Sequence, residues 1–418
     1  MSKFEIQGGH SLNGEVEISG AKNAALKMMA ASLLTNKKVI LRNVPNISDI
    51  LAMKDILEDL GAVIVFEDNV MELDCSNITK QQLDYQLVKH LRGCVVVIGP
   101  MLSKFGNVSL PQPGGCLIGN RSIDTHLRAL EQFGVQITED KDIYHFDSKG
   151  LQGNKIILEE MSVTATENVM MAATLAKGKT EIRLAASEPE IVDLAKMLNS
   201  MGAKISGAGT SVITVEGVNK LNGTEHEVIP DRIEAGTFAI AAAVSRGDVK
   251  IKNIETEHLE YILHKFKQAN VNYEIEDNHH SLHITATTEF KPLNIDTRPY
   301  PGYPTDLQAP LSVLLTQANG TSKIFETMYE GRLGYVKELT KMGAEIKDVD
   351  VHTIIISGPT PLYGKEITSF DIRAGATLII AALIAEGKST IDKVELVDRG
   401  YENIENRLTN LGANIKRI

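Results

Sequence analysis

The chain has 418 residues, of which 43% are hydrophobic and 23% are charged, and these proportions are typical of soluble globular proteins. They exclude disorder, collagen and a disulfide scaffold, and the length predicts two or three domains. A formal net charge of −11 disfavours a nucleic-acid partner. Because no apolar run approaches the ~18 residues of a membrane helix and no signal core opens the chain, we expect a cytoplasmic protein without membrane insertion.

One pattern recurs six times along the chain: an amphipathic helix, a break, and then a short strand. The break residues are spaced by 68 to 73 residues, and they are Gly61, Gly134, Gly202, Asn270, Gly343 and Gly412. Glycine and asparagine are the residues that a left-handed helix C-cap prefers. A constant period of this length predicts one supersecondary unit used six times.

Each unit has a second helix upstream, rich in alanine and methionine and apolar on nearly all faces. These segments are 23–34, 91–102, 166–176, 235–245, 306–318 and 374–385. A helix that is apolar all round is buried. With the β-branched strands between the helices, each unit is predicted to be β-α-β-α-β-β, an α/β arrangement with buried helices.

Six units divide naturally into two domains of three. The sixth unit ends one strand short at Ile418, whereas the N-terminus has a spare strand, KFEIQG. We therefore predict that the N-terminus completes the last unit. The predicted domains are residues 22–229 and residues 1–21 plus 230–418, and their two connections would form a hinge beside a ligand cleft.

Charged or polar residues stand at the predicted starts of the buried helices. They are Lys22, Asn23, Arg92, Asp231, Arg232, Asp306, Asp371 and Arg373. Helix N-termini attract anions, and basic residues there oppose the helix dipole. A bound anion would explain them, and the alternative is that each is a solvated end residue.

Two segments stand out as candidates for catalysis. The loop 111–121 contains prolines and glycines around Cys116, which we expect to be an exposed thiol activated by Arg121, whereas Cys75 and Cys94 are expected to be buried. A turn rich in proline and glycine precedes Asp306 and could aim its carboxylate as a general base.

Other motifs narrow the chemistry further. Thr305 and Gln308 have the spacing of a capping box, so the local pattern alone leaves a structural role for Asp306 open. Arg332 and Arg399 precede the last two amphipathic helices and suggest a ligand with several anionic groups. The histidines of DNHHSLHIT fit a hairpin turn better than a metal site. No P-loop or dinucleotide motif occurs, and we predict no metal and no cofactor.

Five segments together resemble a known family over nearly the whole chain: SGAKNAAL (19–26), PGGCLIGNR (113–121), IPDRIEAGTFAIAAA (229–243), PGYPTDLQA (301–309) and DRGYENIENRLTNLGA (398–413). The chain resembles the UDP-N-acetylglucosamine 1-carboxyvinyltransferases, a family of enolpyruvyl transferases. The resemblance implies two inside-out α/β barrel domains, each of three β-α-β-α-β-β repeats, joined by a double-crossover hinge.

The resemblance also implies an activity. Members transfer the enolpyruvyl group of phosphoenolpyruvate to the 3′-hydroxyl of UDP-N-acetylglucosamine and release phosphate, by addition and elimination through a tetrahedral intermediate. This is the first committed step of peptidoglycan precursor synthesis, so it serves cell wall biogenesis, cell shape, cell division and the cell cycle. The family is also the target of fosfomycin.

By resemblance, Cys116 is the proton donor and Asp306 the general base, while Lys22, Arg121 and Arg399 clamp phosphate and carboxylate with support from Arg332 and Arg373. The matching positions around the UDP-sugar are Asn23, Arg92, Arg121, Ser122, Ile123, Asp124, Thr125, Ser162, Val163, Asp306 and Met328. The chain departs from the family pattern at Ser122 (proline), Glu160 (lysine), Gly331 (asparagine) and Val96 (aromatic).

Two other functions compete with this one. A shikimate-pathway enolpyruvyl transferase would have the same fold, but that family lacks the cysteine loop PGGC. A weakly active or regulatory paralogue is the second alternative, and the retained acid, base and clamp residues argue against it.

Overall fold

The computed structural model describes residues 2–113 and 122–418. They divide into two compact units: an N-terminal unit of residues 20–113 and 122–229, and a C-terminal unit of residues 2–19 and 230–418. The chain therefore passes between the units after Ser19 and after Ile229, whereas the sequence-based boundaries lay at 21/22 and 229/230.

The chain begins with strands β1 (Lys3–Gln7) and β2 (Asn13–Glu17), which belong to the C-terminal unit. The N-terminal unit follows, with α1 (Lys22–Ala31), β3 (Val39–Arg42), α2 (Ser48–Leu60), β4 (Val63–Glu67), β5 (Val70–Asp74), α3 (Tyr85–Val88), α4 (Ile98–Phe105), β6 (Asn107–Pro111), α5 (Asp124–Glu131), β7 (Gln136–Asp140), β8 (Ile143–Asp147), β9 (Lys155–Ile157), α6 (Val163–Ala173), β10 (Lys179–Arg183), α7 (Pro189–Ser200), β11 (Lys204–Ser206), β12 (Val212–Glu216) and β13 (Glu225–Glu227).

The C-terminal unit continues with α8 (Arg232–Val244), β14 (Asp248–Lys252), α9 (Glu260–Gln268), β15 (Asn272–Glu276), β16 (Ser281–Thr285), β17 (Asn294–Asp296), α10 (Thr305–Thr316), β18 (Gly320–Phe325), α11 (Val336–Lys341), β19 (Glu345–Asp348), β20 (Thr353–Gly358), β21 (Glu366–Thr368), α12 (Ile372–Ile384), β22 (Lys388–Asp392), α13 (Ile404–Asn410) and β23 (Asn414–Arg417). Short 3₁₀ segments occur at Ser32–Leu34, Arg92–Val97, Thr256–Leu259, Asp277–His279, Arg332–Tyr335 and Val394–Arg399.

Each unit has three small sheets around buried helices. The sheet orders are β13-β3-β5-β4, β6-β8-β7 and β9-β10-β12-β11 in the N-terminal unit, and β2-β14-β16-β15, β17-β18-β20-β19 and β21-β22-β1-β23 in the C-terminal unit. In the four-stranded sheets the first two strands are parallel and the others antiparallel. Among the described residues the sheets are separate, and none closes into a barrel.

The N-terminal strand completes the last repeat, as the sequence predicts. β1 lies between β22 and β23 and pairs antiparallel with both, with Ile6 opposite Ser389 on one side and Ile415 on the other. Phe4 and Ile6 are completely buried there. This confirms the prediction that the missing strand of the sixth unit comes from the start of the chain.

The structure adds an exchange of first strands that the sequence did not reveal. β2 pairs parallel with β14 as the first strand of the fourth repeat, just before the chain leaves the C-terminal unit. β13 pairs parallel with β3 as the first strand of the first repeat, just before the chain returns. In both cases the chain passes to the other unit directly after a strand that is paired within the unit it leaves.

The six repeat breaks have the backbone conformation that their residue types predict. The φ angles are +114° at Gly61, +83° at Gly134, +101° at Gly202, +65° at Asn270, +108° at Gly343 and +93° at Gly412. Side chains with a Cβ rarely adopt this left-handed region, whereas glycine and asparagine tolerate it. The prediction of one left-handed C-cap per repeat is confirmed.

The buried helices form the centre of each unit. In the C-terminal unit α8, α10 and α12 pack against one another, and residues 233–244 of α8 are all buried. Helices α8 and α10 pack closely at Gly236, where an added Cβ would lie 2.5 Å from Leu307. Helices inside and sheets outside confirm the predicted inside-out α/β architecture.

The second buried helix differs from its prediction, because its first half is a 3₁₀ segment, Arg92–Val97, and only the second half is α4. Pro100 has no N–H to bond the carbonyl of Val96. In addition, the Asn168 side chain accepts from Gly99 N at 2.6 Å and donates to Val95 O at 2.8 Å. Asn168 thus replaces the helical bond between these groups.

No helix in the described part of the chain is both long enough and apolar enough to span a membrane.

Candidate functional site

Two buried arginines hold Asp306 in the C-terminal unit. Oδ1 of Asp306 accepts a hydrogen bond from Arg332 Nη2, and Oδ2 accepts one from Arg373 Nε at 2.9 Å. The arginine side chains are only 5% and 4% exposed, whereas that of Asp306 is 28% exposed. Two buried cations therefore hold the carboxylate, while part of the Asp306 side chain stays exposed.

The starts of α10 and α12 build this cluster, and the charge of Asp231 at the start of α8 also acts on Arg373. Asp371 caps α12 by accepting from Arg373 N at 2.7 Å, and Asp231 caps α8 by accepting from Ile233 N at 2.8 Å. Contact between Asp306 of α10 and Arg373 of α12 brings two of these starts together. The expectation that the helix N-termini gather at one end is confirmed in this unit.

The predicted capping box at α10 is wrong. The N-cap is Pro304, which makes no side-chain cap bond, so the helix begins one residue earlier than the box requires. Thr305 instead donates to Glu326 Oε2 at 2.7 Å. Gln308 is buried and accepts from the hydroxyl of Tyr335 at 2.8 Å.

Arg373 keeps its charge despite its burial. Burial opposes that charge, but Tyr401 and the carboxylate of Asp306 outweigh burial and raise the pKa of Arg373. The guanidinium carbon lies 5.2 Å from the ring centroid of Tyr401, whose hydroxyl is 2.9 Å from Thr237 Oγ1. Tyr401 was not among the predicted site residues, although it lies in the segment 398–413 that resembles the family.

Arg332 is charged for a similar reason. Burial opposes its charge, whereas Asp306 and Asp371 favour it, and the net effect raises the pKa of Arg332. The protein thus supplies its own anions to Arg332 and Arg373. For Arg373 this is a third explanation beside the bound anion and the solvated end residue. Within the described residues, the buried atoms Arg332 Nε and Arg373 Nη1 have no hydrogen-bond partner.

Arg399 ends the 3₁₀ segment that packs on the first turn of α12. Glycine permits this approach, because a Cβ at Gly400 would lie 2.6 Å from Ile372 and one at Gly375 would lie 2.4 Å from Val397. Arg399 itself is half-buried. Gly400, the residue after Arg399, therefore packs against α12, the helix that carries Arg373.

A cavity of about 300 Å³ lies in the C-terminal unit beside the turn that leads into α10. Its lining includes Arg232, Tyr261, Tyr300 and Pro304. The guanidinium carbon of Arg232 lies 5.3 Å from the ring centroid of Tyr300. The cavity leaves space for a ligand close to the turn that positions Asp306.

In the N-terminal unit, Lys22 is the first residue of α1 and forms an ion pair with Asp49, at 3.2 Å between Nζ and Oδ2. Both side chains are largely buried. Asn23 is the next residue of the same turn and is half-buried. No local sequence pattern marks Asp49 as its partner, because Asp49 lies in a different helix, α2.

Part of the predicted sugar-nucleotide set lies at the starts of three helical segments of the N-terminal unit, namely residues 92, 122–125, 162 and 163. Arg92 Nη2 donates to the carbonyl of Ser122 at 3.1 Å, and the hydroxyl of Ser122 accepts from Asp124 N at 2.8 Å. Thr125 donates to Glu160 Oε1 at 3.0 Å. The contacts therefore join residues 92, 122–125 and 160.

The start of α6 lies beside the same group. Ser162 is its N-cap and accepts from Ala165 N at 3.3 Å, and Val163 is its first residue. Ile123 is buried at the start of α5. The exposed carboxylate of Glu160 is held close to Thr125, so the departure from the family's lysine lies within the predicted nucleotide-binding segment.

The cysteines divide into two kinds. Cys75 and Cys94 are buried, as predicted, and burial raises both thiol pKa values, to about 12 for Cys94. Neither is therefore a thiolate at neutral pH. Cys116, Arg121 and the greater part of the predicted mobile loop 111–121 lie outside the described residues.

The histidines of the predicted hairpin turn make ordinary polar contacts. They lie at and after the turn between β15 and β16, and His283 Nε2 contacts Asp248 Oδ1 at 2.6 Å. This hydrogen bond is the main reason that the pKa of His283 is raised. Across residues 2–113 and 122–418, no group of three or more His, Cys, Asp or Glu side chains is placed to hold a metal ion.

Comparisons with known proteins identify the family. The model of the EPSP synthase (3-phosphoshikimate 1-carboxyvinyltransferase) family matches residues 6–408. UDP-N-acetylglucosamine 1-carboxyvinyltransferase of Halothermothrix orenii is 44% identical over 418 residues and 100% of both chains. The chain belongs to the UDP-N-acetylglucosamine 1-carboxyvinyltransferase family. The family member of Prochlorococcus marinus is 47% identical, over 99% of this chain and 91% of its own.

Solved structures support the fold. The enolpyruvyl transferase NikO from Streptomyces tendae matches with a TM-score of 0.91 at 22% identity, covering 100% of this chain and 98% of its own. EPSP synthase from Acinetobacter baumannii matches with a TM-score of 0.78 at 18% identity over 100% of both chains. At these identities the similarity concerns the fold alone, and it confirms the predicted α/β architecture of the family.

Proposed function

We propose that this protein transfers the enolpyruvyl group of phosphoenolpyruvate to the 3′-hydroxyl of UDP-N-acetylglucosamine and releases phosphate. The observation that carries the proposal is the full-length identity of 43–47% to relatives bearing that name. The sugar oxygen adds to C2 of phosphoenolpyruvate while C3 gains a proton. Loss of phosphate and of a C3 proton then regenerates the double bond.

Asp306 has the geometry of a general base. Each of its oxygens accepts an arginine hydrogen bond, and the side chain is partly exposed. We expect Asp306 to take the hydroxyl proton as the new C–O bond forms. Arg332 and Arg373 would fix its orientation throughout.

The substrates are anionic, and this chain can match their charge with its own cations. We propose that Lys22, Arg121 and Arg399 bind the phosphate and carboxylate of phosphoenolpyruvate. Arg332 and Arg373 would support them. Donors fixed before the reaction stabilise the charge of a tetrahedral intermediate without reorganisation.

The N-terminal unit would bind the sugar nucleotide. Asn23, Arg92, residues 122–125 and residues 162–163 are the proposed contacts, and Met328 of the C-terminal unit is proposed to contact the sugar. Glu160 would repel a diphosphate if it were free, but its hydrogen bond from Thr125 gives the carboxylate a partner. We therefore propose that binding tolerates this glutamate.

The direct test is phosphate release from phosphoenolpyruvate, with and without UDP-N-acetylglucosamine. We expect release that requires the sugar nucleotide and falls strongly in Cys116→Ala. Shikimate 3-phosphate is the control acceptor. Release with that acceptor alone would identify a shikimate-pathway enzyme, and no release with either would favour a regulatory paralogue.

We further propose that Cys116 is the proton donor and the site of fosfomycin attack, with the thiolate opening the epoxide of the drug. Cys75 and Cys94 serve as internal controls, because both are buried with raised pKa values. Intact mass after incubation with drug and UDP-N-acetylglucosamine should show one adduct, and none in Cys116→Ala. Unmodified wild-type protein would contradict a reactive thiolate at Cys116.

We place this reaction in the cytoplasm, at the first committed step of peptidoglycan precursor synthesis. The protein would then be needed for cell wall biogenesis, and through it for cell shape, division and the cell cycle. Depleting it should deplete the enolpyruvyl nucleotide in the cell, and an unchanged level of that nucleotide would contradict this placement.

A further inference from the structure

Glu326 is a buried carboxylate of the C-terminal unit that the proposed mechanism leaves unused. It follows β18 directly, and the residue is 0% exposed. Burying a carboxylate is costly unless hydrogen-bond donors surround it. The donors that reach Glu326 therefore indicate which parts of the chain it holds together.

One oxygen of Glu326 holds the turn that contains Met328. Oε1 accepts from Thr297 Oγ1 at 2.9 Å and from the backbone N–H of Met328 at 2.7 Å. A longer bond from Tyr329 N measures 3.3 Å. Since Met328 is a proposed contact of the sugar, this oxygen fixes a part of the acceptor site.

The other oxygen holds the start of α10. Oε2 accepts from Thr305 Oγ1 at 2.7 Å, and Thr305 is the residue before Asp306. Helices α8 and α12 have aspartate N-caps, whereas α10 has Pro304 without a cap bond. The hydrogen bond between Thr305 and Glu326 therefore fixes the first turn of α10 in place of an N-cap bond.

We propose, on the basis of the function proposed above, that Glu326 is a positioning residue that aligns the base Asp306 with the acceptor-binding turn at Met328. Its donors are two threonine hydroxyls and two backbone N–H groups, all neutral. A carboxylate can accept all four bonds, but a side-chain amide can accept only on its oxygen. Glu326 thus governs acceptor alignment rather than phosphoenolpyruvate binding.

The test uses Glu326→Gln, Thr305→Val and Thr305→Ser in steady-state kinetics. Glu326→Gln should lower kcat about tenfold or more and raise KM for UDP-N-acetylglucosamine, with KM for phosphoenolpyruvate unchanged. Thr305→Val removes only the hydrogen bond between Thr305 and Glu326, which positions the first turn of α10 and with it Asp306. It should therefore lower kcat and leave both KM values unchanged. Thr305→Ser keeps the hydroxyl and should restore kcat.

Glu338→Gln is the matched control. Glu338 is a buried glutamate of the same unit, and it accepts from Thr368 N at 3.2 Å and pairs with Lys341. Glu338→Gln should affect stability. It should not lower kcat and raise KM for UDP-N-acetylglucosamine while KM for phosphoenolpyruvate stays unchanged. Wild-type kcat in Glu326→Gln or Thr305→Val, or an equal kinetic loss in Glu338→Gln, would overturn the proposal.

The Thr305 pair decides the question if Glu326→Gln does not fold. If the wild type releases no phosphate, the proposed function itself is contradicted. Failure of the proposed function and failure of the Glu326 proposal are therefore distinguishable.

Discussion

Asp306 shows how buried cations can hold a carboxylate without closing it off. Both arginines are almost completely buried, and they take one oxygen each. Breaking a buried ion pair by removing one partner commonly costs ~3–5 kcal/mol, because the other charge is left uncompensated. The arrangement therefore gives Asp306 a fixed direction that a single surface pair could not give.

Arg373→Lys should lower kcat by about 10- to 100-fold while the protein stays folded. Lysine keeps the charge but cannot reproduce the planar guanidinium that bonds Asp306 and lies beside Tyr401. Steady-state phosphate release measures the effect. Arg407→Lys is the control, since Arg407 forms an ion pair with buried Glu234 in the same unit. Unchanged kcat in Arg373→Lys would show that the guanidinium geometry is irrelevant.

At the scale of elements, a single asparagine aligns helical segments of the N-terminal unit. Asn168 of α6 bonds Gly99 N and Val95 O, and its amide nitrogen is 3.1 Å from His126 Nδ1. A Cβ at Gly99 would lie 2.2 Å from the carbonyl oxygen of Asn168. The residues proposed to contact the nucleotide lie at the starts of these same segments.

Asn168→Ala should destabilise the protein by about 2–4 kcal/mol, because it leaves a buried N–H and a buried carbonyl without partners. It should also weaken UDP-N-acetylglucosamine binding. Urea unfolding and calorimetry measure these effects. Asn199→Ala is the matched control, because Asn199 also bonds a backbone N–H and carbonyl, both of Ile205, but is exposed so that water can replace it. Equal losses in both variants would contradict the explanation.

A buried acid between α1 and α6 should make stability depend on pH. Burial raises the pKa of Glu167 from 4.5 to about 8, although Lys27 lies 3.4 Å away and opposes the shift. Between these two pH values the unfolded chain releases a proton that the folded protein keeps. The free energy of unfolding should therefore fall as pH rises from about 5 to about 8.

Glu167→Gln cannot titrate, so it should lose this part of the pH dependence and gain stability relative to the wild type toward pH 8. Urea unfolding at several pH values measures the difference. Glu181→Gln is the control, since Glu181 has a lowered pKa from its bond to Arg183. Parallel curves for wild type and Glu167→Gln would contradict a raised pKa at this site.

At the scale of the whole molecule, the chain starts and ends in one sheet. Removing residues 2–8 should destabilise the C-terminal unit selectively, because β1 is the strand between β22 and β23. Hydrogen exchange should then lose protection in β22 and β23 and keep it in β10 and β12 of the other unit. Uniform loss, or none, would contradict the separate roles of the units.

The sequence predicted the features that recur in each repeat and those that depend only on neighbouring residues. The period located the breaks at Gly61 and its five counterparts, and the missing sixth strand pointed to the N-terminus. Residues at helix starts could be recognised as candidates because the partial positive charge of a helix N-terminus favours anions there. The same logic identified Asp306 and Arg373 before any contact was known.

The sequence could not predict partners that packing alone brings together. Asp49 pairs with Lys22 in the N-terminal unit, and Tyr401 and Glu326 contact Arg373 and Thr305 in the C-terminal unit. No local sequence pattern marks these three residues as partners. The capping box was wrong because Pro304 already serves as the N-cap. Pro100 was a visible signal that the second buried helix would change form, but its substitute bonds from Asn168 come from a distant helix.

The most direct measurement of the central claim is the mass and NMR spectrum of the nucleotide formed from phosphoenolpyruvate and UDP-N-acetylglucosamine. We predict one enolpyruvyl group joined by an ether bond to the sugar 3′-oxygen, one phosphate released per product, and loss of product formation in Asp306→Ala. An unmodified sugar nucleotide after incubation with folded wild-type protein, or a group attached elsewhere on the nucleotide, would contradict it.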